Sequence, residues 1–348
     1  MSVMFVMLDD ADAITRADSS GMLRQIADLP QQLKASIATK VDMGEARVDN
    51  VCICGLGGSA MSGDILSDQL DRSSLFPSAV VRDVQLPRWV DDKTLTLLIS
   101  YSGNTKETMA MYEQARKRNS LLVAITSGGS LLQTCQECGE RTVEVPSGLQ
   151  PRAALGYLLG ASAKVLESAG VTPVATELSG MVASLDRLVG ELVPSVPTER
   201  NVAKQVARDL EGKIPAVYSS RSVRAAAKRW QTQINENSKM LCLQGELPEA
   251  DHNQIVGWLD GAPDAVTPVF LRASTDSGMM ADIMSTTIGM FADFGRQPLI
   301  VELEGASPLE NVMRGVVIGD FVSYYLAMVQ GVDPMPVPSI TELKKRLG

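Results

Sequence analysis

The chain has 348 residues, 45% of them apolar and 21% charged, with a formal net charge of −9. That length and apolar content suit about two globular domains and exclude disordered, collagenous and small disulfide-stapled classes. The acidic balance argues against nucleic-acid partners, which need a basic footprint.

The opening run MSVMFVMLDDADA has no basic region and turns acidic after Leu8, so it predicts no export signal. Residues 21–38 predict a helical lead-in broken at Pro30. Short apolar runs follow at 51–54, 78–83, 94–100, 121–127 and 141–145, separated by helix-like stretches at 60–70, 105–118 and 130–138. Strands alternating with helices imply a parallel sheet covered on both faces. Residues 152–170 and 176–192 predict two apolar helices, and Pro194 and Pro197 mark a linker. The pattern then restarts, with strands at 215–220, 240–245, 266–273 and 298–305 and helices at 222–238, 253–258 and 278–294. An apolar helix at 308–330 is interrupted by Asp320, so no membrane span is expected. The resulting division is a lead-in at 1–40 and two α/β domains at 41–193 and 194–348.

Five cysteines, an odd number, fit reduced thiols in the cytoplasm. Cys135-x-x-Cys138 has no second such pair, and Cys52 and Cys54 fall on one side of a buried strand, so ordinary thiols are expected. His252 is the only histidine, which rules out a multi-histidine metal site. No metal and no cofactor are expected.

Three loops carry the chemistry. Gly55-Leu56-Gly57-Gly58-Ser59-Ala60 follows the first strand and reads G-x-G-x-x-A, with Asp83 after the next strand. On its own this is a dinucleotide fingerprint, a general phosphate loop or a tight turn. Ser100-Tyr101-Ser102-Gly103-Asn104-Thr105 follows the buried run TLTLLI and brings three serine or threonine hydroxyls in six residues. Hydroxyls and amides can surround a phosphate monoester without a lysine, and no Walker loop is present. Thr126-Ser127-Gly128-Gly129-Ser130 is a third hydroxyl loop at the same sheet edge, where α/β proteins bind ligands.

GLGGSAMSGD and SYSGNTKET together resemble a sugar isomerase (SIS) domain, the phosphosugar-binding α/β module. NENSK at 235–239, PEADHNQIVGW at 248–258 and the tail GVDPMPVPSITELKKRL resemble the bifunctional phosphoglucose/phosphomannose isomerases of archaea and some bacteria. The resemblance implies two tandem SIS domains, each a doubly wound, mainly parallel five-stranded sheet. It also implies a cytoplasmic homodimer whose active sites are shared between subunits. The expected reaction interconverts glucose 6-phosphate and fructose 6-phosphate, and mannose 6-phosphate as well, through a cis-enediol. Phosphate would bind Gly57, Gly58, Ser59, Ser100, Ser102 and Thr105.

Such an isomerase needs a base, a ring-opening acid/base and positive charge for the enediolate oxygens. By resemblance, Glu236 is the base and His252 the ring-opening group, supplied by the neighbouring subunit. Without the resemblance, Glu236 reads as an exposed helix charge and His252 as a surface histidine. Arg152 matches the family's arginine at the enediolate oxygens; Lys344, with Lys345 as the alternative, matches the lysine at the sugar oxygens. Two positions depart from the family pattern. Asp251-His252-Asn253-Gln254 stands where Asn-His-Asn-Glu is common. Met335 stands where a threonine linked to acceptance of both epimers is common, and it lacks the hydroxyl. Two rival functions share the fold: a non-catalytic phosphosugar-binding regulator, and a dinucleotide-dependent oxidoreductase using Gly55–Ala60 and Asp83.

Overall fold

The computed structural model describes residues 8–45 and 47–346. The opening Met1–Met7, part of the run read as carrying no export signal, lies outside them. The chain forms two compact units: residues 28–186, and residues up to Ala27 together with those from Arg187 onward.

The 28–186 unit starts with α3 (Leu29–Ile37), after α1 (Ala11–Ala17) and α2 (Met22–Ala27). The expected break at Pro30 falls at Asp28, between α2 and α3, and Pro30 sits in the first turn of α3, where its missing N–H costs nothing. The alternating elements are β1 (Asn50–Cys54), α4 (Gly58–Ser73), β2 (Ser78–Val81), β3 (Thr94–Ile99), α5 (Lys106–Lys117), β4 (Leu121–Thr126), α6 (Gly129–Glu137) and β5 (Arg141–Glu144). A 3-10 turn (Pro151–Ala153), α7 (Leu155–Ser168) and α8 (Val174–Leu192) follow. The sheet is wholly parallel, in the order β2-β1-β3-β4-β5. Every residue of β3 is buried, as expected for a strand covered on both faces. α3 docks on α7, where Gln32 donates to Ala153 O at 3.0 Å and Ser36 to Tyr157 O at 2.6 Å.

The other unit holds α9 (Val202–Asp209), β6 (Ile214–Ser220), α10 (Arg224–Asn237), β7 (Leu243–Leu247), α11 (Gln254–Gly261), β8 (Val266–Ala273), α12 (Met279–Asp293), β9 (Leu299–Leu303), α13 (Pro308–Val329) and α14 (Pro338–Arg346). The expected fifth strand is not there: among the described residues this sheet has four parallel strands, ordered β7-β6-β8-β9. β7 also starts later than expected, because the Asn235 carboxamide accepts from Cys242 N at 2.8 Å and holds that segment as a loop. One sheet face is packed with Tyr218, Trp258, Phe270 and Phe291, whose neighbouring ring centroids lie 5.2–6.3 Å apart.

The lead-in expected at 1–40 is divided between the units. Asp9, ahead of α1, accepts from Thr198 N and Oγ1 at 2.8 Å and from the buried Lys204 Nζ at 3.3 Å. Helix α13 is long and apolar enough to cross a membrane, yet 94% of its most apolar window is buried inside the unit. Its Asp320 forms a two-pronged bond with Arg229 of α10, both contacts 2.8 Å, and both side chains are almost fully buried.

Candidate active site

In the strand order β2-β1-β3-β4-β5 the chain reverses direction between β1 and β3. The loops leaving these two strands therefore diverge, and the crevice between them is where open α/β sheets bind ligands. The first is the glycine loop and the second the hydroxyl loop.

Gly57 adopts φ 53° and caps α4 without a side chain; the Ser59 and Ala60 amides close tight turns on Leu56 O and Gly57 O at 3.2 Å. α5 begins after Thr105, also without a side-chain cap. Two helix N-termini without side-chain caps, at one sheet edge, present positive dipole ends that favour an anion. Ser59 is buried, and its Oγ accepts from Tyr101 N at 3.2 Å, joining the two loops. Ser100 is buried and donates to Thr105 Oγ1 at 3.1 Å; Ser102 is exposed, with its Oγ accepting from Asn104 N at 3.3 Å.

Arg152 reaches this crevice through close backbone packing. A Cβ on Gly58 would lie 2.9 Å from Arg152 Cα and 3.0 Å from Arg152 N. The start of α4 thus rests directly on the turn that carries Arg152, and only glycine permits that distance. Arg152 is 3% exposed, and its guanidinium donates to Gln150 Oε1 at 3.4 Å. The fold therefore gathers Gly57, Gly58, Ser59, Ser100, Ser102, Thr105 and Arg152 around one sheet edge.

The third hydroxyl loop supports the second rather than lining the crevice with it. Ser127 donates to Tyr101 O at 2.6 Å, and Asn104 Oδ1 accepts from Ser130 N at 3.0 Å. A Cβ on Gly103, which has φ 66°, would fall 1.8 Å from Gly128 O, so the two loops are in backbone contact. The sequence reading missed Tyr101. Its hydroxyl donates to Pro146 O at 2.9 Å and accepts from Leu149 N at 3.0 Å, fixing the approach to Arg152. Burial pushes its phenol up from the ordinary value. An aromatic residue inside a hydroxyl loop was the available signal.

The second unit repeats the topology, and its equivalent crevice lies between β6 and β8. Here Ser222 donates to Asp276 Oδ1 at 2.6 Å, stitching the two loops together. Asn311 donates to Ser274 Oγ and Thr275 Oγ1 at 3.2 and 2.9 Å. A carboxylate held in such a crevice disfavours phosphate.

The other expected residues belong to this second unit. Glu236 lies in the last turn of α10 and is half-buried. Lys239 Nζ donates to Glu236 O at 2.6 Å and to Pro334 O at 3.2 Å, tying that turn to the Asp333–Met335 tail. Met335 accepts a long contact from Gln25 Nε2 at 4.0 Å. His252 ends the 3-10 turn Glu249–His252 and is exposed. The turn is anchored by Asp251, whose Oδ2 accepts from Thr287 Oγ1 at 2.9 Å. Burial pushes the Asp251 carboxyl up, against the opposing pull of that bond and of His252. Lys344 and Lys345 lie on α14, which buries none of its residues.

Two readings from the sequence are settled locally. Asp83, the possible ribose acid, is exposed and accepts from Val84 N at 2.6 Å. All five cysteines are free; burial pushes the Cys135 thiol up to about 12. Among the described residues no group of three or more ligating side chains is placed to hold a metal ion.

Residues 46–148 match the SIS domain, and residues 199–347 match the bacterial phospho-glucose isomerase C-terminal SIS domain. The bifunctional phosphoglucose/phosphomannose isomerase of Caldicellulosiruptor bescii is 34% identical over 94% of this chain and 98% of that protein. The chain belongs to the bifunctional phosphoglucose/phosphomannose isomerase family. The Thermoplasma volcanium protein of the same description is 33% identical, covering 93% of this chain and 98% of its own. A hypothetical protein from Thermus thermophilus shares the fold, with a TM-score of 0.74, 17% identity, and coverage of 97% of this chain and 94% of that one. Family membership makes this chain an isomerase and leaves the oxidoreductase reading without support.

Proposed function

We propose that this isomerase interconverts glucose 6-phosphate and fructose 6-phosphate, and mannose 6-phosphate by the same route, with Glu236 moving the proton. The observation that carries the reading is the crevice between β1 and β3, where hydroxyls and two uncapped helix N-termini meet a buried arginine. The sugar's phosphate binds Ser59, Ser100, Ser102, Thr105 and the amides of Gly57 and Gly58. His252 moves a proton at the ring oxygen and opens the hexose. The Glu236 carboxylate then takes the proton from C2 as the C1 carbonyl oxygen gains one to form the enediol, and loss of the O2 proton with return of the carbon-bound proton to C1 gives the ketose. Glucose and mannose phosphates differ only in configuration at C2, so both pass through the same cis-enediol. Arg152 faces the enediol oxygens, where a fixed, forked cation suits developing negative charge. Lys344 steadies the sugar oxygens, with Lys345 the alternative. No metal enters this scheme.

The protein acts in the cytoplasm as a homodimer in which His252 serves the partner's site. Its free thiols and the exposure of His252 on a surface turn support this arrangement. The test is subunit complementation in a coupled assay. Glu236→Gln and His252→Ala homodimers should each be nearly inactive, with a loss of at least ~10²-fold for the base. A mixed dimer holds one doubly defective and one intact site, because twofold symmetry exchanges the two residues. Activity near half of wild type per heterodimer is expected. Verified heterodimers with no recovered activity would place His252 in its own chain's site, and near-normal turnover by Glu236→Gln would remove it as the base.

A further inference from the structure

Glu236 sits in Asn235-Glu236-Asn237-Ser238-Lys239, and each neighbour in that run makes a fixed contact. Asn235 accepts from Cys242 N, as described above. Asn237 is fully buried and donates its amide to Ser323 Oγ at 2.9 Å. Ser238, also buried, donates to the backbone O of the same Ser323 at 2.7 Å. Ser323 Oγ in turn donates to Asp320 O at 2.8 Å, one turn earlier on α13. Asp320 is the residue that clamps Arg229, two turns before Glu236 on α10. Trp230 Nε1 donates to Gly315 O at 2.8 Å on the same helix pair.

Two consecutive residues following Glu236 thus dock on one serine in the interior. A helix terminus lacks intrahelical partners and frays unless something else holds it. Here the last turn of α10 is held by Ser323, and the rest of α10 is locked in register by Arg229 and Trp230. Glu236, half-buried, immediately precedes the two docked residues.

We infer that Ser323 is a positioning residue for isomerisation: it fixes the end of α10 so that the Glu236 carboxylate meets the C2 proton. The inference rests on the reading of Glu236 as the base. Ser323 touches neither substrate nor the reacting atoms; it acts through Asn237 and Ser238. Misplacing a catalytic group by about 1 Å costs on the order of 10²-fold, so loosening this turn has a kinetic signature.

The test compares Ser323→Ala, Ser323→Thr and Ser238→Ala with wild type and Glu236→Gln, all assayed well below their melting temperatures. Ser323→Ala removes the acceptor of the Asn237 amide, and Ser238→Ala removes the second bond. Each should lower kcat on glucose 6-phosphate about 10-fold with KM within about twofold, since the phosphate crevice is untouched. The deuterium isotope effect with substrate labelled at C2 should rise, as proton abstraction becomes more rate-limiting. Ser323→Thr keeps the hydroxyl and should recover most of kcat. A merely structural serine would lower the melting temperature and leave the isotope effect unchanged, and that result overturns the inference. So does equal loss in Ser323→Ala and Ser323→Thr at matched stability. Glu236→Gln separates the two levels: if it remains active, the base assignment fails; if it is inactive while Ser323→Ala is normal, only the role of Ser323 fails.

Discussion

The contact between Gly58 and the Arg152 turn gives the most direct test of the phosphate crevice. In Gly58→Ala the new Cβ would stand 2.9 Å from Arg152 Cα, 3.0 Å from Arg152 N and 3.2 Å from Pro151 C. Ordinary contact begins at 3.4 Å, so one of two backbones must retreat by about 0.5 Å. No flexible side chain is available to absorb the movement. Overpacking of this kind costs about 1–3 kcal/mol, and the alanine returns about 0.5–1 kcal/mol as a better helix former. The net loss of about 0.5–2 kcal/mol lowers the melting temperature by only a few degrees. The functional effect is larger. If 1 Å costs on the order of 10²-fold, half that displacement at Arg152 and the amides of α4 lowers kcat/KM by about 10-fold. Steady-state kinetics on glucose 6-phosphate, with thermal unfolding alongside, measures both. Gly180→Ala is the control: that glycine lies in α8 with nothing within 4 Å of the added carbon, so stability should hold or rise and kcat/KM should not change. A Gly58→Ala enzyme with kcat/KM within twofold of wild type would refute the coupling between the phosphate loop and Arg152.

Asp320→Ala should destabilise the second unit by about 3–5 kcal/mol, because the buried Arg229 loses its carboxylate, and the paired Arg229→Met/Asp320→Leu variant should regain most of the melting temperature. Equal losses in the single and double variants would contradict this. Asp251 gives a pH dependence. Burial raises its folded-state pKa, so its contribution to stability is present below the unfolded value near 3.9 and is lost as pH climbs through the raised value. Asp251→Asn keeps an acceptor for Thr287 without the titration. Its melting temperature relative to wild type should rise between about pH 4 and neutrality; parallel curves would show that Asp251 does not titrate differently on folding.

The parallel sheet of the first unit was legible because its central strands β1, β3 and β4 are largely apolar runs leading into glycine and hydroxyl loops, a pattern set by burial on both faces. The second sheet was harder to read. Residues 240–245 looked like a strand by apolar content, yet Asn235 and Gln231 hold Cys242 through its N–H and C=O, and pairing starts only at Leu243. The break at Pro30 was legible because a proline is tolerated in a first turn and not inside a helix, so α2 ends at Ala27 and α3 starts at Leu29. The split lead-in depends on contacts such as Asp9 with Lys204, 195 residues apart, which local pattern cannot supply. At the candidate site, loop chemistry pointed to Ser59, Ser100, Ser102 and Thr105. Arg152, Glu236, His252 and Lys344 carried no local signal and came forward only through family resemblance. Tyr101 and Ser323 were missed because each acts through hydrogen bonds to distant segments.

The two crevices also show how little of a binding site resides in topology. Both sheets share the order second, first, third, fourth, so each has a reversal beside its first strand and diverging loops there. In the first unit those loops carry Ser59, Ser100 and Thr105, and the helices behind them begin without side-chain caps. There the hydroxyls bond one another and the neighbouring backbone, Ser100 to Thr105 and Ser59 to Tyr101 N, with no carboxylate among these contacts. In the second unit the corresponding donors are spent within the protein: Ser222 on Asp276, and Asn311 on Ser274 and Thr275. The Asp276 carboxylate already occupies Ser222, and a phosphate would have to displace it. The same topology therefore carries two different loop chemistries, and the residues that fill the second crevice are polar side chains bonded to each other. The proposed base, Glu236, accordingly stands at the end of α10, at a point set by helix packing rather than by a strand edge.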